Sequence, residues 1–277
     1  MKLRLPHVYA VYEQLYGNSV RQIASPSIII DGSAATFKRG SLTGHMFVPK
    51  GGGRSILCVS RAQRLPRDHD LILGAPLDAS SGDCDCSGAL WLRHPRKNES
   101  PTRVEAIDAV RRSWTGAFSY VAEDPSSPAP GLRPPQLGAV HAIHAHWAVT
   151  GDIATVVMPT GTGKTDTMLS ILVSGNCTKV LVIVPTDALR AQLATKFMTL
   201  GILKSPGSPL LKESALYPIV CMLRHVPKTV TEVDEIFAAA QVVVMTSAIA
   251  SHSKPAICER MRDHCSHLFV DEAHHAE

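Results

Sequence analysis

The chain has 277 residues, 45% of them apolar, and a formal net charge of +4. That length fits one or two domains, and that apolar content fits a buried core. No apolar run approaches the roughly 18 residues of a membrane span, and Met1–His7 lacks the apolar core of a signal peptide, so neither a spanning helix nor a secretory leader is expected. Seven cysteines, an odd number in a chain too large to need staples, point to reduced thiols and a cytoplasmic location.

Residues 1–125 read as an accessory region, a small α+β assembly, with short strands at Ile28–Ile30, Ser55–Val59 and Leu71–Leu73 among Gly, Ser and Pro turns. The window 32–67 holds Lys38, Arg39, Lys50, Arg54, Arg61, Arg64 and Arg67 and no Asp or Glu, with Phe37 and Phe47 among them. Such a stretch fits a phosphate backbone, and it fits a solvated loop equally well. Cys84 and Cys86 form a Cys-x-Cys pair. With no second pair nearby they read as an exposed loop rather than a zinc site. Thr102-Arg103-Val104-Glu105 is a capping box. It opens an amphipathic helix over 102–120, with Val104, Ile107, Val110, Trp114 and Phe118 at helical spacing. Glu123–Pro135 carries five prolines in thirteen residues, which breaks helix and strand alike and predicts a linker at 126–135.

Beyond the linker, helices and apolar strands alternate. Gln136–Val149 is a helix with Val140, Ile143 and Trp147 on one face; its His141, His144 and His146 do not converge on one point. Then come a strand at Ile153–Met158, a helix at Lys164–Ser174, a strand at Lys179–Val184 and a helix at Asp187–Thr199. Further strands are expected at Ile219–Leu223, Val242–Met245 and His267–Val270. Short apolar strands between helices imply an α/β fold with a parallel sheet covered on both faces.

Two segments carry chemistry. Residues 158–165 read Met-Pro-Thr-Gly-Thr-Gly-Lys-Thr, placed between a strand and a helix. Glycines at 161 and 163 allow backbone angles and a close approach that side chains would block. Backbone N–H groups from Thr160 to Thr165 and the helix N-terminus would then cradle phosphates, with Thr162 within the loop. Lys164 would reach the β and γ phosphates, and the Thr165 hydroxyl would bind Mg2+. The general pattern has Gly where this chain has Met158. Residues 270–272 read Val-Asp-Glu at the end of an apolar strand. Asp271 would hold the metal and Glu272 would orient the attacking water. Lys164, Asp271 and Glu272 are thus the candidate catalytic set, with ATP and Mg2+ as cofactors.

Together with Asp-Glu-Ala-His at 271–274, the loop resembles superfamily 2 helicases and translocases, in the bacterial DEAD/DEAH-box branch related to type I and III restriction motor subunits. Three further segments share the resemblance. Leu132-Arg133-Pro134-Pro135-Gln136 resembles the element before the phosphate loop, where Gln136 would read adenine with Arg133 beside it. Val184-Pro185-Thr186 with Leu189, Arg190 and Gln192 resembles a motif that touches the nucleic-acid backbone through Pro185 and Thr186. Met245-Thr246-Ser247 resembles another with the same role. The resemblance covers about residues 130–277. It implies a first RecA-like P-loop domain at 136–277, and an ATP-dependent helicase or translocase working on DNA rather than RNA. It also implies a nuclease or methyltransferase partner in a restriction-type system.

Two other readings stand beside it: a motor subunit of a restriction system, and a nucleotide switch that never moves on nucleic acid. Residues 1–125 contain neither Glu-x-Lys nor His-x-Lys, the usual nuclease signatures. The chain ends six residues after Asp271. The strand, the second RecA-like domain and the arginine finger that the resemblance implies would all come later. These residues alone are therefore expected to bind ATP without turning it over at a motor's rate.

Overall fold

The computed structural model describes residues 1–60, 65–78, 82–97 and 103–273. Arg61 and Arg64 of the basic window, Thr102 of the expected capping box, and His274 lie outside the described residues. The chain divides into two compact units, Met1–Val11 with Ile23–Glu99, and Tyr12–Gln22 with Ser100–Glu277.

The first unit is built from strands among the described residues. They are β1 (Lys2–Arg4), β2 (Val8–Leu15) and β3 (Asn18–Ser25), both of which continue into the second unit, β4 (Ile29–Arg39), β5 (Leu42–Pro49), β6 (Ile56–Val59), β7 (Ile72–Gly74), β8 (Asp83–Asp85) and β9 (Leu90–Arg93). Seven of them form a sheet in the order β8-β1-β4-β5-β6-β7-β9. β6 and β7 lie where apolar runs predict strands; β4 is far longer than Ile28–Ile30. Alternate residues of each strand point to one face, and that face buries Leu3, Phe47, Cys58, Leu73 and Trp91.

Two details of this unit change the expectations. Cys84 lies in β8 and Cys86 is buried in the core. The pair is not an exposed loop: residues two apart share a strand face, which brings the two Sγ atoms to 3.7 Å. Among the described residues no cluster of three metal-ligating side chains occurs. The acid-free window is also answered by the residues just after it. Arg39 bonds Asp68 through both carboxylate oxygens at 2.8 Å, and Arg54 meets Asp70 at 3.1 Å.

In the second unit, α1 (Arg103–Trp114) is shorter than the expected 102–120. The chain turns through Gly116, whose φ of 62° is left-handed and ends the helix. Trp114 is buried and its indole N–H donates to Leu216 O at 2.9 Å. The proline-rich segment lies inside this unit and closes on itself, with Leu132 N bonding Val121 O and Glu123 N bonding Leu132 O. Its last two prolines open α2 (Pro134–Val149), at positions where the missing N–H would be an orphan anyway.

The remaining elements are α3 (Lys164–Ser174), β10 (Val180–Val184), α4 (Asp187–Thr199), β11 (Val220–Met222), α5 (Val230–Ala239), β12 (Val242–Thr246), α6 (Ser247–His252), α7 (Pro255–His264) and β13 (His267–Val270). α3, α4 and β13 have the expected bounds. The sheet runs β13-β10-β12-β11-β3-β2. β13, β10, β12 and β11 are parallel, as the alternating pattern requires, which makes this unit an α/β domain of RecA-like type. Its far side is closed by a hairpin from the start of the chain. β3 pairs antiparallel with β11, Val20 opposite Cys221. The two-residue turn Tyr16–Gly17 has φ of 52° and 77°, the positive angles that match strand twist in a tight hairpin.

The expected strand at 153–158 does not form. Its residues join no ladder, and Ile153 and Val157 are 90% and 92% exposed. An apolar run becomes a strand only where another strand's N–H and C=O groups receive it, and none among the described residues does. Among the described residues no helix is long and apolar enough to cross a membrane.

Candidate nucleotide site

The phosphate-loop sequence runs from Met158 into α3. Gly163 is the N-cap residue of α3 at φ 94°, and Gly161 lies at 83°. Both angles are left-handed, which glycine adopts without strain. A Cβ on Gly163 would also fall 1.9 Å from Gln136 Nε2, whereas one on Gly161 would meet nothing within 4 Å. Among the described residues no side chain caps α3, so the orphan N–H groups of its first turn could receive an anion. Thr162 closes the loop by donating its N–H and its hydroxyl to Pro159 O, at 3.2 and 2.6 Å. Met158 is buried and its sulfur accepts from the Thr167 hydroxyl at 3.7 Å. The unusual methionine therefore packs beneath the first turns of α3. Thr160 is exposed and Thr165 half-buried at the start of the helix.

Two residues from the start of α2 strap this loop. Arg133 Nη1 donates to Gly161 O at 2.8 Å. Gln136 is buried; its Oε1 accepts from Arg133 N at 2.7 Å, and its Nε2 donates to Gly163 O at 3.3 Å and Asp166 Oδ2 at 3.4 Å. Arg133 and Gln136 thus gather at the loop, with the glutamine amide bonded to protein atoms. Asp166 is a participant that the motif does not single out. It also lines an open cavity of about 700 Å³ between the first turn of α3 and the Gln192–Thr199 face of α4.

The acidic end arrives on β13. Asp271 N donates to Ile183 O at 2.9 Å, extending the ladder by one residue. Glu272 then turns at φ 53°, a left-handed angle that a non-glycine residue adopts at some cost. The turn brings its carboxylate to Lys164, Nζ to Oε1 at 2.7 Å. Burial pushes the Asp271 carboxyl above the usual carboxylate range. Neighbouring Glu272 pushes it further and Lys164 offsets part of the shift. Asp271 offers a half-buried carboxylate and Thr165, at the start of α3, a half-buried hydroxyl, oxygen donors of the kind that Mg2+ takes.

The two segments expected to touch a nucleic-acid backbone fall on one edge. β10 and β12 are in register with Val184 beside Thr246, so Pro185-Thr186 and Thr246-Ser247 leave the sheet together. Each threonine caps the next helix: Thr186 Oγ1 accepts from Leu189 N at 3.3 Å, and Thr246 Oγ1 from Ile249 N at 3.4 Å. Asp271 leaves β13 at this same carboxyl edge, where open α/β sheets bind their ligands.

Residues 130–277 match a family model described as the res subunit of type III restriction enzymes. No curated protein matches the chain.

Proposed function

We propose, from the premise that this chain belongs to the type III restriction enzyme res-subunit family, that its second unit binds MgATP and serves a helicase or translocase acting on DNA in a restriction setting. The observation that carries this reading is the Lys164–Glu272 contact. Residues 108 apart in sequence meet at 2.7 Å, which joins the loop that would hold phosphate to the strand end that would hold metal. In this arrangement the ammonium has a carboxylate where a nucleotide would offer phosphate oxygens.

Gly161, Thr162, Gly163 and Lys164 would hold the phosphates, with Thr160 at the mouth of the loop. Thr165 and Asp271 would hold Mg2+, which neutralises phosphate charge when bound. On nucleotide entry Lys164 would exchange Glu272 for the β and γ phosphates, and the Glu272 carboxylate would orient water. Arg133 and Gln136 would fix the loop; adenine reading by Gln136 requires its amide to leave Gly163 and Asp166. Pro185, Thr186, Thr246 and Ser247 would line the polynucleotide path. Their shared edge favours a motor over a nucleotide switch.

The test is titration of a fluorescent ATP analogue with Mg2+. Lys164→Ala should bind about tenfold to a hundredfold more weakly, the worth of a charge-assisted contact of roughly 1.5–3 kcal/mol. Glu272→Gln should bind at least as tightly as the wild type, because the competing carboxylate is gone. Equal affinity in the wild type and Lys164→Ala would overturn the assignment of the loop.

A further inference from the structure

The carboxyl edge of the sheet continues beyond the two threonines. β11 lies beside β12 with Met222 opposite Val244, and Leu223 N extends the ladder to Val244 O at 2.9 Å. The chain leaves β11 beside Thr246, on the side that carries Thr186 and Asp271. The loop that follows exposes Arg224, His225 and Lys228. Among the described residues, the side chains of Arg224 and Lys228 make no hydrogen bond or ion pair.

This loop is held by the N-terminal hairpin. Asn18 is buried, and its Oδ1 accepts from both Arg224 N at 2.7 Å and His225 N at 3.0 Å. Asn18 Nδ2 closes on Tyr16 O at 3.3 Å. Gly17 turns at a left-handed φ of 77°, and a Cβ there would lie 2.7 Å from the His225 ring, which would have to shift. The nearby acids have partners: Glu235 accepts from the Tyr16 hydroxyl at 2.6 Å, and Glu232 accepts from Lys228 N at 2.8 Å.

Building on the proposed motor reading, we propose that Arg224 and Lys228 form a further polynucleotide phosphate contact, and that Asn18 is its positioning residue. Two unpaired cations project from a loop whose backbone is already fixed, at the edge where Thr186 and Thr246 lie. A fixed backbone lowers the ordering cost of each contact. Phosphate contacts fix register and orientation and read no sequence. A segment from the start of the chain would thereby help to set the grip of the ATPase unit.

Fluorescence anisotropy of the whole chain with labelled single-stranded and duplex DNA, over a series of salt concentrations, tests this. Arg224→Ala and Lys228→Ala should each weaken binding alike for all sequences and lower the slope of log affinity against log salt by about one. Arg224→Gln should do the same and guards against a misfolded alanine variant. Asn18→Ala should lower the slope in the same direction, and adding Asn18→Ala to Arg224→Ala with Lys228→Ala should weaken binding no further. A merely structural role for Asn18 would leave the slope untouched. Wild-type affinity and slope in the Arg224 and Lys228 variants would overturn this inference and leave the motor reading standing. No DNA binding by the wild type at low salt would sink both.

Discussion

Residues 153–158 and β10 flank α3, and both are short apolar runs, but they are held in different ways. β10 lies between β12 and β13, and Val182 is fully buried. Residues 153–158 lie outside any ladder, with Val157 almost fully exposed. The edge that carries Thr186 and Thr246 is therefore fixed by sheet hydrogen bonds and core packing. The phosphate loop is fixed by side chains: Arg133 on Gly161, Gln136 on Gly163, and Lys164 on Glu272. Two parts of one candidate site thus differ in what would disturb them. A sheet-held edge yields only when the core yields. A side-chain-held loop can change while the fold stays intact, which suits a segment that must exchange Glu272 for a nucleotide.

The largest expected difference is in stability. Val182→Ser removes a buried side chain and leaves a hydroxyl in the core, at a cost of roughly 3–5 kcal/mol. Val157→Ser, on the exposed run, should stay within about 0.5 kcal/mol of wild type. Urea unfolding of the two variants measures both, and similar losses would erase the distinction.

A smaller effect should separate the two glycines within the loop. Alanine at 161 or 163 costs about 1–2 kcal/mol of left-handed strain. Gly163→Ala must also displace Gln136, whereas Gly161→Ala meets open space. Gly163→Ala should therefore be the less stable and lose affinity for the ATP analogue beyond Gly161→Ala. Identical behaviour of the pair would mean that Gln136 does not hold the loop.

The smallest effect lies on the sheet-held side. Asp234 on α5 accepts from Arg260 and His264 of α7, each at 2.6 Å. The Arg260 bond first, and then the His264 bond, hold its carboxyl below the ordinary 3.8. A lowered folded-state pKa adds stability that is complete above the unfolded value and is lost as pH falls through the folded one. Asp234→Asn should lower the melting temperature slightly at neutral pH, and the gap from wild type should close in acid. A gap independent of pH would show that the variant acts through packing and not through charge.

Much of the second unit was legible in the sequence. α3 and α4 have their expected bounds because Gly163 and the Thr186 cap mark their starts, and β13 ends at its acidic pair. The hairpin at 8–25 carried a weaker signal. Gly17, between two runs rich in Val, Tyr and Ile, is a turn signal, but nothing local says that its strands would complete a sheet some 200 residues further on. The same limit applies to α1. Its amphipathic face was evident, but its partner, Leu216, was not.

What the sequence by itself determined is local: the phosphate-loop glycines, the helix caps, the apolar strands and the acidic pair follow from backbone angles, capping and residue spacing. What only the tertiary structure decided is which groups meet. The Gln136 amide turns to the loop, Lys164 finds Glu272, and Asn18 reaches the backbone of Arg224. Residues 153–158, apolar enough for a strand, stay unpaired. Hydrogen bonds and ion pairs are made between chemical groups brought together by folding, and sequence spacing fixes only those within a few residues of each other.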